Sequence, residues 1–170
     1  TVDSTPPTVP VIETATYTNE KFNLRWSCTD PHTQITGYKY AIGTTRGGTE
    51  ISNGWIYIDV NELEEGESKE RIDRIINLDL QHEGRYYLTV QAVNEAGLWS
   101  QPGISTVVIA DLERPEIPVV NTKSAKEPSY SNSKNMIKNI SIILEDKLSG
   151  IAAYRYQVAD NKELTNLTSK

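Results

Sequence analysis

The segment Gly84–Ser100, GRYYLTVQAVNEAGLWS, decides the fold of this chain. Its first half places Tyr86, Leu88, Val90 and Ala92 at a two-residue period, which is typical of a β-strand with one buried side. Its second half is polar, contains a glycine and ends in a tryptophan, as a turn leading out of a strand does. The segment therefore predicts a strand that crosses a core, followed by a tight turn.

The same period recurs throughout the first 110 residues. The further predicted strands are NLRWSCT, ITGYKYAIG, GWIYIDV, RIDRIINLDL and GISTVVIA. Trp26, Tyr38 and Tyr40 fall on the apolar sides of two of them, so we expect these residues in the core. Many short alternating strands separated by turn residues predict an all-β, antiparallel β-sandwich.

The chain also contains an internal repeat. Asp3, Pro7 and Pro10 of DSTPPTVPVI recur with the same spacing in DLERPEIPVV. Leu24, Trp26, Asp30, Ile35, Tyr38, Tyr40 and Ile42 match Ile140, Ile142, Asp146, Ile151, Tyr154, Tyr156 and Val158, with an insertion, KSAKEPSYSNSKNM, before the second set. A sandwich of this kind needs about 100 residues. We therefore predict one whole domain over residues 1–110 and the opening strands of a second, truncated one over 111–170.

These motifs support a family resemblance. Leu80 followed by Tyr86, Leu88, Val90 and Ala92 resembles the fibronectin type III family. The segments SCTDPHTQITGYKYAIGTTRGGTEI and YYLTVQAVNEAGLWS are similar to the tandem fibronectin type III-like repeats of prokaryotic extracellular and cell-surface proteins. The resemblance covers nearly all of residues 1–110 and the start of 111–170. It implies an immunoglobulin-like β-sandwich in which Tyr86 is the tyrosine-corner residue.

Three further aromatic residues allow more than one interpretation. Trp99 directly follows a turn, and we expect it to fold back over the sheet edge as a lid on the core rather than to stack on a ligand. Trp55 and Tyr57 alternate on GWIYIDV and so share a face. If they point inward they belong to the core, which we favour; if they point outward they are candidates for stacking on a sugar ring.

Composition excludes some classes of partner. The net charge is −6 and the pI about 5.0, with lysine and arginine scattered along the chain, which opposes nucleic-acid binding. No apolar run approaches the roughly 20 residues of a membrane-spanning helix. Cys28 is the single cysteine and lies in an alternating strand, so we expect a small buried side chain without a disulfide.

Few residues suggest catalysis or metal binding. His32 and His82 lie in turn-like segments without a catalytic partner in the sequence, so we expect no enzyme activity. Carboxylates crowd one loop at Glu62, Glu64, Glu65 and Glu67. Their spacing lacks the Asp, Asn and Gly pattern of a dedicated calcium loop, so we expect a solvated turn, with Ca²⁺ as the alternative and no other cofactor.

The sequence thus predicts a non-catalytic structural spacer or adhesion module of a large secreted or surface-attached protein. Its expected location is extracellular or at the cell surface. Its expected partners are neighbouring domains of the same polypeptide and another copy, or a segment of a neighbouring chain, that completes the C-terminal half-domain. Two alternatives remain: a carbohydrate-binding accessory module of a polysaccharide-degrading enzyme, and a self-assembling subunit of a surface layer or filament.

Overall fold

The structure, a computed structural model, describes residues 3–122, 140–156, 158–159 and 167–168. All regular secondary structure in these ranges is β, which confirms the predicted all-β class. The chain divides into two compact units, Thr1–Glu113 and Arg114–Lys170. The boundary predicted from the sequence lay between residues 110 and 111.

The first unit consists of two packed sheets. Its strands are β1 (Val11–Ile12), β2 (Tyr17–Thr18), β3 (Lys21–Ser27), β4 (Ile35–Gly43), β5 (Ile56–Asp59), β6 (Arg71–Asn77), β7 (Arg85–Asn94), β8 (Gly103–Ile104) and β9 (Val108–Ala110). The smaller sheet has the order β1-β3-β6, and the larger has the order β2-β9-β7-β4-β5, with β8 also pairing with β7. Only the short pair β2–β9 is parallel among these described strands. Two sheets with these crossovers form an immunoglobulin-like β-sandwich.

The core lies between the two sheets and is rich in aromatic residues. Trp26 of β3 meets Tyr38 edge-on at a centroid distance of 5.6 Å and lies 5.9 Å from Tyr40. From the other side, β7 contributes Tyr86, Leu88, Val90 and Ala92, all of them buried. Contact between rings at these distances adds to the free energy gained by burying their surface. The alternation read from the sequence therefore describes the packing of β3, β4 and β7.

Tyr86 joins the core to the loop that precedes its strand. Its hydroxyl oxygen accepts a hydrogen bond of 2.8 Å from the backbone N–H of Gln81. A Cβ atom on Gly84 would lie only 2.5 Å from that hydroxyl, so a glycine is required where the loop passes the ring. This is the geometry of a tyrosine corner.

A charged pair lies at the edge of the sandwich beside β6. Arg74 follows the buried Ile72 by two residues on β6, so its side chain lies on the same face and points toward the space between the sheets. Its Nε and Nη2 atoms donate to Glu67 Oε1 and Oε2, both at 2.8 Å, and the Glu67 side chain is fully buried. Burial alone would raise the pKa of Glu67, but the hydrogen bonds from Arg74 and from backbone amides outweigh it and hold the pKa below its usual value.

The segment GISTVVIA forms two short strands rather than the single strand predicted. Ser105, between β8 and β9, turns its side chain back to the sheet: its Oγ accepts from the N–H of Leu88 at 3.0 Å, while its own N–H donates to the Leu88 carbonyl at 2.9 Å. A side chain thus replaces one backbone acceptor of the ladder. This substitution divides the segment, and a period of two residues does not reveal it.

The second unit contains two short antiparallel pairs in its described residues. Strand β10 (Val119–Thr122) pairs with β11 (Ile140–Ile143), and β12 (Val158–Ala159) pairs with β13 (Leu167–Thr168). Val119 and Val120 are both exposed although they point to opposite faces of their strand. The predicted insertion KSAKEPSYSNSKNM lies outside the described residues. That this unit opens a second sandwich stays a prediction.

Candidate functional site

The outer face of the larger sheet carries an unusual row of side chains. Lys39 of β4 lies opposite Tyr57 of β5 on one side and Gln91 of β7 on the other. Their sequence neighbours Tyr38 and Ile58 are buried in the core. Because successive side chains of a strand point to opposite faces, the row at Lys39 points away from the core.

Two tryptophans flank the lysine of this row. The Nζ atom of Lys39 lies 4.9 Å from the ring centroid of Trp55 and 4.4 Å from that of Trp99. The Trp99 ring also meets Tyr57 edge-on, with centroids 6.3 Å apart and planes at 75°. These distances are those of cation–π and aromatic contacts. We refer to Lys39, Trp55, Tyr57 and Trp99 as the aromatic face.

The preferred interpretation of Trp55 and Tyr57 as core residues is wrong. Tyr57 is 67% exposed, and Ile58 and Val60 fill the inward positions of this segment instead. The pairing of Tyr38 with Ile58 fixes which side of β5 faces the core. A strand of four residues has alternating apolar side chains on both faces, so its sequence alone does not reveal the buried side.

The expected role of Trp99 as a lid on the core is also wrong. Its side chain is 38% exposed and lies on the outer face of the larger sheet. Its backbone forms a bridge with Val93, which alternates with the buried Ala92 and so points outward. The turn after β7 therefore places Trp99 on the outer face of the sheet, where its ring contacts Lys39 and Tyr57.

Cations on this face have no acidic partner in the described part of the chain. Lys39 forms neither a salt bridge nor a hydrogen bond through Nζ there, and its contacts are the two indole rings. Farther along the sheet, the guanidinium carbon of Arg46 lies 6.0 Å from the ring centroid of Tyr87, again without an ion pair in the described residues. Two positive charges thus stand on aromatic rings on one side of the sandwich.

The acidic loop does not have the geometry of a calcium site. The carboxylate of Glu67 binds Arg74, and its Oε2 also accepts from the N–H of Glu64 at 2.8 Å. Across residues 3–122 and the shorter described stretches after them, no three His, Cys, Asp or Glu side chains gather as metal ligands. Glu67 is therefore engaged by Arg74 and a backbone amide, whereas Ca²⁺ requires six to eight oxygen ligands; that this loop is a solvated turn stays a prediction.

The other reactive side chains have structural partners. His82 accepts a hydrogen bond of 3.1 Å at Nδ1 from the N–H of Leu112. Cys28 is buried, and burial raises the pKa of its thiol, so the reactive thiolate form is disfavoured. Within the described ranges, no helix combines the length and apolar composition needed to cross a membrane.

Asn94, at the end of β7, is a buried polar residue whose role the sequence did not reveal. Its Nδ2 donates to Asp3 Oδ2, to Asp30 Oδ2 and to the Thr5 carbonyl at 3.0–3.1 Å. Its Oδ1 accepts from two amides of the following turn. No sequence pattern marks this role, because Asp3, Thr5 and Asp30 lie far from Asn94 in the sequence.

Comparisons with known proteins add little to this picture. No family model and no curated protein matches the sequence. Among solved structures, the chain is similar to the PKD domain of an M14-like peptidase from Thermoplasmatales archaeon SCGC AB-540-F20, with 19% identity and a TM-score of 0.42. That match covers 63% of this chain and 97% of the other. The immunoglobulin-like assignment therefore rests on the strand order described above.

Proposed function

We propose that the chain is a non-catalytic spacer or adhesion module of a large secreted or surface-attached protein, built from fibronectin type III-like repeats. One observation carries the proposal: the polypeptide enters and leaves the first unit at opposite poles of the sandwich. A domain with this geometry transmits distance and force along a tandem array, because each repeat extends the chain instead of folding it back.

The incoming chain is fixed at the pole where β3 and β7 end. The N–H of Thr8 donates to the Thr29 carbonyl at 2.9 Å. Asp3 accepts from Asn94 and, at 2.8 Å, from the hydroxyl of Thr33. Prolines before β1 restrict the backbone of this segment further. The start of the domain is thus tied to its body by hydrogen bonds and is not a loose tail.

The outgoing chain is fixed at the pole where β7 begins. The N–H of Asp111 donates to the Thr18 carbonyl at 2.7 Å, and the N–H of Leu112 donates to His82. Strand β7, Arg85–Asn94, connects the two poles, and ten extended residues span about 30 Å. The two attachment points are therefore separated by the full length of the sandwich.

Spin labels would test this geometry directly. In the full chain with Cys28→Ala, labels on Glu95→Cys and Glu113→Cys, both exposed, should give one narrow distance distribution centred at roughly 30–40 Å. The pair His32→Cys and Glu95→Cys, which lie at one pole, is the matched control and should give a much shorter distance. A broad distribution for the first pair, or equal distances for both, would reject a rigid spacer.

The exposed apolar side chains of the second unit indicate which partners to expect. Its described aromatic and aliphatic side chains are largely exposed, and a sheet of two strands does not bury a core. We propose that neighbouring domains of the same polypeptide, another copy, or a segment of a neighbouring chain covers it. Light scattering of the full chain over a concentration series distinguishes these sources: growth in mass supports the surface-layer or filament alternative, and a strict monomer removes it.

Glycan binding is the second candidate function, and the aromatic face favours it. Exposed Tyr57 and Trp99 side by side offer ring surfaces of the kind on which sugar rings stack. We expect binding on a glycan array to be lost with Trp55→Ala or Trp99→Ala and kept with Tyr17→Ala, a partly exposed tyrosine of β2. An array on which the unsubstituted chain binds nothing would count against this candidate.

A further inference from the structure

We infer that the aromatic face binds an acidic polysaccharide, one whose sugar rings carry carboxylates, and that Lys39 is the residue that selects it. The inference rests on the second candidate function and names its ligand class. It also assigns a role to a lysine on which the sequence interpretation placed no weight.

The first support is the state of the Lys39 ammonium group. The chain carries 23 acidic and 17 basic residues, so carboxylates that could pair with lysine and arginine are in excess. Lys39 nevertheless sits between two indoles and, within the described residues, makes no ion pair. Aromatic faces hold a cation in position but do not neutralise it. Its charge therefore remains available to a ligand.

The second support is that the side chain is already ordered. A free lysine loses rotamer freedom when it binds a ligand, and that loss weakens binding. Here Trp55 at 4.9 Å and Trp99 at 4.4 Å hold the Nζ atom before any ligand arrives. Binding of an anion at this position thus costs less side-chain conformational entropy than binding at a solvated surface lysine.

The third support is the combination of charge with an exposed ring. Tyr57, directly opposite Lys39, is the most exposed member of the aromatic face and touches Trp99. A uronic acid presents a flat apolar ring side for stacking and a carboxylate for the ammonium. A neutral sugar lacks the carboxylate, and an acidic peptide lacks the rigid ring, so each would use only part of this surface.

The fourth support is a second cation on the same face. Tyr87, over which Arg46 lies, is opposite Gly43, four residues beyond Lys39 on β4. Four extended residues span about 13 Å. Two positive charges that lie on aromatic rings at separate positions of one sheet face suit a ligand with a repeated negative charge, which is a polymer and not a single sugar.

Asp59 also lies on this side of β5, opposite Gly37, and its charge opposes the inference. Its Oδ1 accepts hydrogen bonds of 2.8 Å from both the backbone N–H and the Nδ2 of Asn61. These bonds engage the carboxylate in its own turn. In contrast, the Lys39 ammonium and the Arg46 guanidinium make no hydrogen bond or ion pair within the described residues.

The test compares two polymers with one backbone: polygalacturonate, and the same polymer with most carboxylates methyl-esterified. In affinity electrophoresis of the full chain, polygalacturonate should bind roughly tenfold more tightly, the equivalent of one charge-assisted contact. Lys39→Met, which keeps the apolar stem, should remove that preference and leave binding to the esterified polymer within about twofold. Added salt should weaken only the polygalacturonate complex.

Matched variants separate the possible results. Lys21→Met, an exposed lysine on β3 of the other sheet, should keep the preference. Arg46→Met should weaken binding of polygalacturonate but not of the galacturonate monomer, which is too short to contact both cations. Circular dichroism checks that each variant is folded.

Equal binding to both polymers, unaffected by Lys39→Met, would overturn the inference while leaving glycan binding intact. Absence of binding to either polymer and to the array would remove both. Equally tight, Lys39-dependent binding of poly-glutamate would also overturn it, since it would show that the ring is not recognised.

Discussion

Tyr38 and Tyr154 hold the same place in the two repeats, yet the first is 1% exposed and the second 62% exposed. Tyr40 and Tyr156 differ in the same way. The first pair packs against Trp26 between two sheets, whereas the second pair lies in a unit whose described strands form two-stranded sheets only. An inward pattern in the sequence therefore produces burial only where a second sheet covers it.

The turns of the two repeats are alike, in contrast to the cores. Asp30 Oδ1 accepts from the amides of His32 and Thr33 at 2.9 and 2.7 Å. Asp146 Oδ1 accepts from Leu148 and Ser149 at 3.1 and 2.8 Å. The amide of Gly150, with these two, lowers the pKa of Asp146. A carboxylate that caps its own turn needs only neighbours in the sequence.

Replacement of the central tryptophan should show the largest difference in stability effect between the two units. Trp26→Ala leaves a cavity between the sheets and should lower the free energy of unfolding by about 3–5 kcal/mol, measured by urea denaturation and circular dichroism. Ile142→Ala, at the matching position of the second unit, should change the same transition by less than about 0.5 kcal/mol. Equal losses would show that the second unit has a core of its own.

Removal of the buried Asn94 amide, at the pole where β3 and β7 end, should have the next largest effect on the free energy of unfolding. Asn94→Ala leaves Asp3 and Asp30 without their shared donor and exposes two turn amides, so we expect a loss of about 2–3 kcal/mol in the same assay. Asn121→Ala, on the exposed strand β10, is the control and should be nearly neutral. A neutral Asn94→Ala would mean that the pole is not held by these bonds.

Loss of one hydroxyl should give a smaller difference. Tyr38 donates a hydrogen bond of 2.7 Å to the Lys69 carbonyl, so Tyr38→Phe should cost about 1 kcal/mol in thermal or urea unfolding. Tyr154→Phe should have no measurable effect. If both variants were neutral, water would be replacing the hydroxyl of Tyr38.

The smallest expected effect is a change in acid sensitivity. Burial alone would raise the pKa of Asp30, but the amides of Thr33 and His32 outweigh it and lower the pKa. The resulting stability is present above the unfolded pKa of about 3.9 and is lost as the pH falls through the lower folded value. Asp30→Asn should flatten the decline of the urea midpoint below about pH 4. Asp146→Asn should not, because the second unit, as for Ile142→Ala, should contribute little to the measured transition. Identical curves for both variants would contradict the comparison.

The strands that face each other across the core were readable from the sequence. β3, β4 and β7 are long, and each carries large side chains on one face and smaller or polar ones on the other, so the buried side is marked several times over. β5 has only four residues, and its neighbour Trp55 and its own Tyr57 are as large as Ile58. For that strand the number of large apolar residues on each face does not show which face is buried, and the prediction that Trp55 and Tyr57 point inward was wrong.

The candidate site was hidden for a related reason. Its members come from β4, from the start of β5 and from the turn after β7, and no spacing in the sequence connects Lys39 with Trp99. The same holds for the pair of Arg74 with Glu67 and for the contacts of Asn94 with Asp3. Groups that meet through strand pairing become visible only when the pairing is known.

The sequence by itself determined where the long strands form, which side of them is apolar and where aspartates cap turns, because these properties depend on residues a few positions apart. Only the tertiary structure decided that Trp55, Tyr57 and Trp99 face outward around Lys39. That outcome depends on the register between strands from distant parts of the chain, and a shift of one residue would have reversed it.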